Sequence, residues 1–124
     1  MIAGSEPLNG LNISPMDVSE RSLYEIHLPP YKKAIDAGVY TIMAAHNELN
    51  GIPSHMHKGL MTDLLRNEWG FDGYVVSDWG AATETIENAL GGLDLEMPGP
   101  AKTWGENLLK YHRIQFNKMG YFWT

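Results

Sequence analysis

Cysteine is absent from all 124 residues, which excludes disulfides, thiolate zinc sites and cysteine nucleophiles. Positive charge is scarce: 9 Lys and Arg stand against 15 Asp and Glu, giving a formal charge of −6 and a pI near 5.2. An acidic chain with scattered cations binds a phosphate backbone poorly, so nucleic acid is not an expected partner. No apolar run approaches the roughly 18 residues of a membrane-spanning helix, so no membrane partner is expected either. The first residues also lack the charged-then-apolar layout of a signal peptide. A glycine-rich phosphate loop, a nucleophile elbow and a Ser/His/Asp arrangement are likewise missing. Carboxylate chemistry is what remains.

Hydrophobic residues make up 44% of the chain and charged residues 19%, the balance of a folded domain rather than a disordered one. A chain of this length forms one modest domain and buries about two-thirds of its unfolded surface. Residues 1–18, crowded with Gly4, Pro7, Asn9, Gly10, Asn12, Pro15 and Asp17, read as loop. Asp17 stands three residues before Glu20, the spacing of a capping box. It opens an apolar pattern at Leu23, Ile26, Tyr31, Ala34 and Ile35. Pro29-Pro30 predicts a kink or two short helices, ending at Gly38.

From Val39 to Ala45 the pattern becomes a short, mostly apolar run suited to a strand buried on both faces. Asn50-Gly51 and Pro53 mark a loop. Leu60, Met61, Leu64, Leu65 and Trp69 fall at helical spacing, with Gly70 as the stop. Tyr74-Val75-Val76 predicts a second strand and Ala82, Ile86, Ala89 and Leu90 a second helix. Leu93 to Met97 predicts a third strand, and a weaker helical stretch covers about 102–111. Such alternation predicts an α/β fold with a parallel sheet, either a small open sheet or part of a barrel. A complete eight-fold barrel needs roughly 200 residues or more, and this chain holds three or four units.

Asp78 is the most informative position. It follows Tyr74-Val75-Val76-Ser77 and precedes Trp79-Gly80, at the strand-to-loop edge where parallel sheets place active sites. A carboxylate beside a large aromatic suits sugar chemistry: the acid attacks or stabilises an oxocarbenium centre while the indole packs on the sugar's apolar face. An Asp in this place also suits the cap of the following helix, and spacing alone leaves both readings open. His46, His55 and His57 raise a metal site, but no His-Glu-x-x-His pattern supports one. Asp94 and Glu96 alternate with Leu93 and Leu95, as solvated or ion-paired strand-end groups do. Asn12-Ile13-Ser14 is formally a glycosylation acceptor.

The stretch Leu64-Leu65-Arg66-Asn67-Glu68-Trp69-Gly70-Phe71-Asp72-Gly73-Tyr74-Val75-Val76-Ser77-Asp78-Trp79-Gly80-Ala81 resembles the nucleophile segment of glycoside hydrolase family 3, the family of β-glucosidases and related exo-acting β-glycosidases. Three more stretches resemble the same family in order: residues 18–31, from Val18-Ser19-Glu20-Arg21 to Pro29-Pro30-Tyr31; residues 42–53, from Ile42-Met43-Ala44-Ala45-His46-Asn47 to Asn50-Gly51-Ile52-Pro53; and Gly92-Leu93-Asp94-Leu95-Glu96-Met97-Pro98-Gly99. The resemblance covers about residues 5–109. It implies a partial (β/α)8 TIM barrel of three to four βα units within residues 1–109, followed by a tail, 110–124, that does not resemble the family.

By resemblance, Asp78 is the catalytic nucleophile of a retaining double displacement, Trp79 walls the site near the scissile bond, and Met43 packs against the bound sugar. His46 departs from the Tyr or Phe that many members carry, and a hydrogen bond from it to Asp78 would make activity sensitive to pH near neutrality. The implied substrate is an oligosaccharide or glycoside, with no metal or organic cofactor. The family's acid/base, often from a later domain, and its Lys-His pair have no match here. The expectation is a fragment whose Met1 is internal to a longer frame, inactive alone and prone to self-association through open sheet edges.

Overall fold

The computed structural model describes the backbone of residues 7–118 and the side chains through His112. Of the expected N-terminal loop, residues 1–6 lie outside the described residues, as do residues 119–124 of the tail. After a 3-10 turn at Leu8–Gly10, Met16 bridges to Leu49 in parallel. The Asn50 side chain secures this approach by accepting the Val18 N–H at 2.8 Å and donating to the Val18 carbonyl at 3.0 Å.

Ser19 opens the first helix, α1 (Glu20–Ser22), and its hydroxyl oxygen accepts the Ser22 N–H at 3.1 Å. The cap is thus Ser19 rather than Asp17. Ser19 holds the extended backbone a cap needs, one residue ahead of the first turn. The helix widens into a π-type turn over Leu23–His27, where the Leu28 N–H reaches back to the Leu23 carbonyl at 2.9 Å. The extra residue in that turn swings Leu28 into the core and leaves Ile26 exposed, contrary to a simple helical period. Pro29, whose missing N–H suits a first helical position, starts α2 (Pro29–Asp36). Gly38, at φ +87°, closes it: the Gly38 N–H bonds the Ile35 carbonyl and the Val39 N–H bonds the Ala34 carbonyl.

Strand β1 (Thr41–Met43) comes next. Strands β2 (Glu48–Leu49) and β3 (Ile52–Pro53) form a two-residue hairpin. Both of its turn residues, Asn50 and Gly51, hold positive φ, as the twist of such a hairpin demands. A 3-10 turn (Ser54–Met56) and a π-type helix (Gly59–Glu68) lead to β4 (Tyr74–Val76). β4 lies parallel to β1, with Thr41, Ile42 and Met43 opposite Tyr74, Val75 and Val76. A side chain at Gly73 would meet the Tyr40 carbonyl oxygen at 2.1 Å, so only glycine lets the two backbones pass there. Only Ile42 of β1 is buried, so the expectation of burial on both faces fails: Thr41 and Met43 face outward.

Helix α3 (Ile86–Gly91) begins four residues later than the pattern predicts, and Ala89 and Leu90 of its expected apolar face are exposed. Its buried face is Asn88 and Gly91, because Gly91 seats directly on the Met56 backbone, where a Cβ would meet the carbonyl oxygen at 2.7 Å. The third strand reduces to a parallel bridge between Val76 and Leu95. The Val75 N–H goes to the Asp94 carboxylate at 2.7 Å instead of to a backbone carbonyl, which interrupts the ladder. Helix α4 (Glu106–Lys118) starts later than about residue 102 because the backbone N–H groups of residues 102–104 bind the Glu96 carboxylate.

Strand and helix thus alternate through β1, the π-type helix, β4, α3, the Leu95 segment and α4, which makes the fold α/β with parallel neighbours. The core gathers Leu60, Met61, Leu64 and Leu65 of the π-type helix against Ile42, Val75, Phe71 and Leu93. Among the described residues no helix is long and apolar enough to cross a membrane.

Candidate active site

The two parallel strands end side by side. Met43 pairs with Val76, and the Ala44 N–H donates to the Val76 carbonyl at 2.9 Å, so the segments leaving β1 and β4 emerge at one edge. Ser77 is buried beyond β4 and fixes that exit. Its N–H donates to the Leu95 carbonyl at 2.9 Å, and its hydroxyl oxygen accepts the Met97 N–H at 2.9 Å.

Asp78 follows, half-buried, at the start of a tight turn in which the Ala81 N–H bonds the Asp78 carbonyl at 3.1 Å. Gly80 holds φ +72° and donates its N–H to the Met97 carbonyl at 2.8 Å. One carboxylate oxygen of Asp78, Oδ1, accepts the Trp79 N–H at 2.6 Å, a short charge-assisted bond that orients the acid. Oδ2 makes no hydrogen bond among the described residues. The cap reading of Asp78 fails, because the next helix begins at Ile86 and its cap position is Thr85. The Trp79 side chain is 66% exposed, an indole displayed next to the carboxylate rather than packed in the core.

Met43 stands at the same edge, more than a third exposed. His46 lies in the segment after β1, half-buried, and no hydrogen bond joins it to Asp78. Its Nδ1 is buried without a partner, as are both nitrogens of His55. His55, which alternates with His57 as two ligands on an extended segment would, is instead almost wholly buried in the 3-10 turn before the π-type helix. Burial, reinforced by the charge of nearby His46, pushes its pKa down to about 4, so it is neutral at pH 7. Burial also pushes His57 down, against the opposing pull of its own backbone hydrogen bond. No group of three or more His, Asp or Glu among the described residues is arranged to hold a metal.

Asp94 and Glu96 have separate roles. Asp94 pairs with Arg66 and takes the Val75 N–H, an ion-paired group as its spacing suggests. Glu96 is buried rather than solvated, 8% exposed, and is engaged with the backbone. The only sequence signal for that is an acid at the end of a strand with a Pro/Gly-rich loop just behind it.

Comparison with known proteins agrees with this architecture. Residues 3–96 match the model of the glycosyl hydrolase family 3 N-terminal domain. A β-glucosidase from Rhizobium radiobacter is 50% identical over 94 residues, which is 75% of this chain and 12% of that protein. β-Glucosidase BoGH3A from Bacteroides ovatus is 48% identical over 83 residues, 66% of this chain and 11% of its own length. The crystal structure of a Kluyveromyces marxianus β-glucosidase in complex with glucose superposes with a TM-score of 0.77 at 38% identity, covering 83% of this chain and 13% of that one. The chain therefore spans about an eighth of the curated relatives it matches. By the match of residues 3–96, the chain belongs to glycosyl hydrolase family 3, within its N-terminal domain.

Proposed function

We propose that Asp78 is the nucleophile of a retaining β-glycosidase site that hydrolyses terminal non-reducing β-D-glucosidic bonds. The observation that carries this reading is a carboxylate at the end of a parallel strand, oriented by the Trp79 amide through Oδ1 with Oδ2 uncommitted, beside an exposed indole. Relatives named β-glucosidases supply the substrate class. In the first step Oδ2 attacks the anomeric carbon as the glycosidic C–O bond breaks, and a covalent glycosyl ester forms. In the second step the acid/base group, left deprotonated by the first, takes a proton from water as the water oxygen attacks the same carbon; the ester C–O bond breaks and Asp78 is regenerated as a carboxylate.

The Trp79 indole stacks on the apolar face of the sugar, Met43 packs against it, and His46 lines the pocket as a polar contact. A retaining site needs a second carboxyl about 5–5.5 Å from the first to protonate the leaving oxygen. By family resemblance that acid is supplied from outside the matched segment. The three to four βα units of residues 1–109 are then part of a (β/α)8 barrel, followed by the tail, 110–124, that does not resemble the family. Sugar choice among glucoside, xyloside and N-acetylglucosaminide rests on contacts beyond this segment. The chain's share of its relatives' length, 12%, supports a second statement: by itself it is not catalytic.

The test is to replace the matching segment of the Rhizobium radiobacter β-glucosidase with residues 3–96 of this chain and assay an aryl β-D-glucoside. The chimera turns over, and Asp78→Asn, which keeps the side-chain volume, lowers kcat at least about a hundred-fold. A loss below about a hundred-fold contradicts the nucleophile reading.

A further inference from the structure

The Glu96 carboxylate is buried without a cation: none of the ion pairs among the described residues includes it. It is held by three successive backbone donors. Oε1 accepts the Lys102 N–H at 2.8 Å and the Thr103 N–H at 3.0 Å, and Oε2 accepts the Trp104 N–H at 2.8 Å and, at 3.3 Å, a share of the Thr103 N–H. Burial alone raises the pKa of such an acid. The donors from Thr103, Lys102 and Trp104 outweigh it, and the group lies below the ordinary glutamate value, charged at neutral pH.

The next residue belongs to a second clamp. Met97 donates its N–H to the Ser77 hydroxyl, and its carbonyl accepts the Gly80 N–H at 2.8 Å. Ser77 and Gly80 bracket Asp78 and Trp79. A third tie closes the circuit. The Trp104 indole N–H donates to the Thr85 carbonyl at 2.9 Å, and the Thr85 hydroxyl donates to the Thr103 carbonyl at 2.8 Å. The segment that carries Asp78 and Trp79 is therefore pinned at its start by Met97 and at its far end by the loop that Glu96 gathers.

We propose that Glu96 is a positioning residue for the Asp78–Trp79 turn, acting through Met97 on one side and the residue 102–104 loop on the other. The catalytic meaning of this role rests on the reading of Asp78 as nucleophile, but the physical link does not. Glu96 touches no substrate atom in this account. Its carboxylate folds the loop that fixes the height and direction at which Asp78 leaves β4.

Hydrogen–deuterium exchange of the full 124-residue chain tests the link. In Glu96→Gln an amide N–H2 faces a row of N–H donors. Protection at Lys102, Thr103 and Trp104 falls at least about ten-fold, and it falls comparably at Met97 and Gly80. Ala44 and Tyr74, whose N–H groups bond the Val76 and Tyr40 carbonyls, keep theirs. Glu96→Asp retains the charge but withdraws the oxygens by a methylene, and gives the same pattern at smaller amplitude. Loss confined to residues 102–104, with Gly80 and Met97 at wild-type protection, overturns the proposal. So does a uniform loss at every amide, Ala44 and Tyr74 included, in both variants.

In a longer chimera that carries residues 3–109 of this chain, Met97 and the 102–104 loop included, Glu96→Gln lowers kcat about ten-fold or more while KM stays within about two-fold, the split expected when the reacting group is misaimed rather than the sugar released. A rise in KM with kcat unchanged overturns the positioning role. Asp78→Asn in the same chimera separates the two claims. If it retains activity, the nucleophile reading fails whatever Glu96 does, and exchange at Gly80 still decides the link.

Discussion

Arg66 and Asp94 pair behind β4, and the Asp94 oxygen that meets the guanidinium, Oδ2, also accepts the Val75 N–H. Arg66 in turn donates to the Gly73 carbonyl at 3.1 Å, at the entry to the same strand. One carboxylate thus satisfies a strand amide on a wholly buried residue and a cation that ties the π-type helix to β4. The ion pair itself is partly solvated and worth little, so the buried amide sets the cost of losing it. Asp94→Ala destabilises the chain by about 2 kcal/mol, more than Arg66→Ala, as read from urea unfolding midpoints. Equal effects from the two variants contradict that ranking.

Gly91 meets Met56 backbone to backbone, so Gly91→Ala forces a Cβ into a carbonyl oxygen and costs at least about 2 kcal/mol. At Gly59 the added Cβ meets only the His57 ring at ordinary contact distance, and the site is helical. Gly59→Ala is neutral or stabilising by about 0.5–1 kcal/mol. Thermal melts of the two variants check the contrast, and similar losses in both contradict it.

His55 is neutral when folded, with its pKa pushed from 6.5 to about 4 by burial and then by His46. Below pH 6.5 the unfolded chain binds a proton that the folded chain refuses, so stability falls with pH across the window from about 6.5 to 4. The slope is about 1 kcal/mol per pH unit. His57, shifted the same way, adds to it. His55→Leu removes the orphaned nitrogens and flattens this slope while leaving the pH 7 stability equal or higher. An unchanged slope in urea unfolding across that window shows that His55 does not carry the effect.

The outer edge of β1 has no strand partner among the described residues, and Tyr40 beside it is 66% exposed. The 124-residue chain is expected to self-associate through that edge, and Thr41→Lys to shift it toward monomer in sedimentation velocity. A monomeric parent chain contradicts this.

Local punctuation made much of the fold legible. The Pro29-Pro30 break, the Gly38 stop, the apolar stripe of Leu60, Met61, Leu64 and Leu65, and the run at Tyr74–Val76 each depend on near neighbours in sequence. What escaped depends on a distant contact, on a change in the helical turn or on the path of a loop. The seating of Gly91 on Met56 turned α3 so that Asn88 rather than Leu90 is buried. The π-type turn at Leu23–His27 exchanged Ile26 for Leu28 in the core. At the site, the position of Asp78 at the end of β4 followed from its neighbours in the sequence. The burial of His55 and the clamp of Glu96 did not: the Glu96 carboxylate is met by loop amides only six to eight residues on, and no side-chain pattern says that those amides turn back on the acid.

Covalent trapping tests the central claim most directly. The chimera carrying residues 3–96 is incubated with a 2-deoxy-2-fluoro-β-glucoside bearing a good leaving group, which slows hydrolysis of a glycosyl ester once formed, and the labelled peptide is mapped by mass spectrometry. One fluoroglucosyl adduct is expected, on Asp78, and none in Asp78→Asn. An adduct on another residue, or full inactivation with Asp78 unmodified, contradicts it.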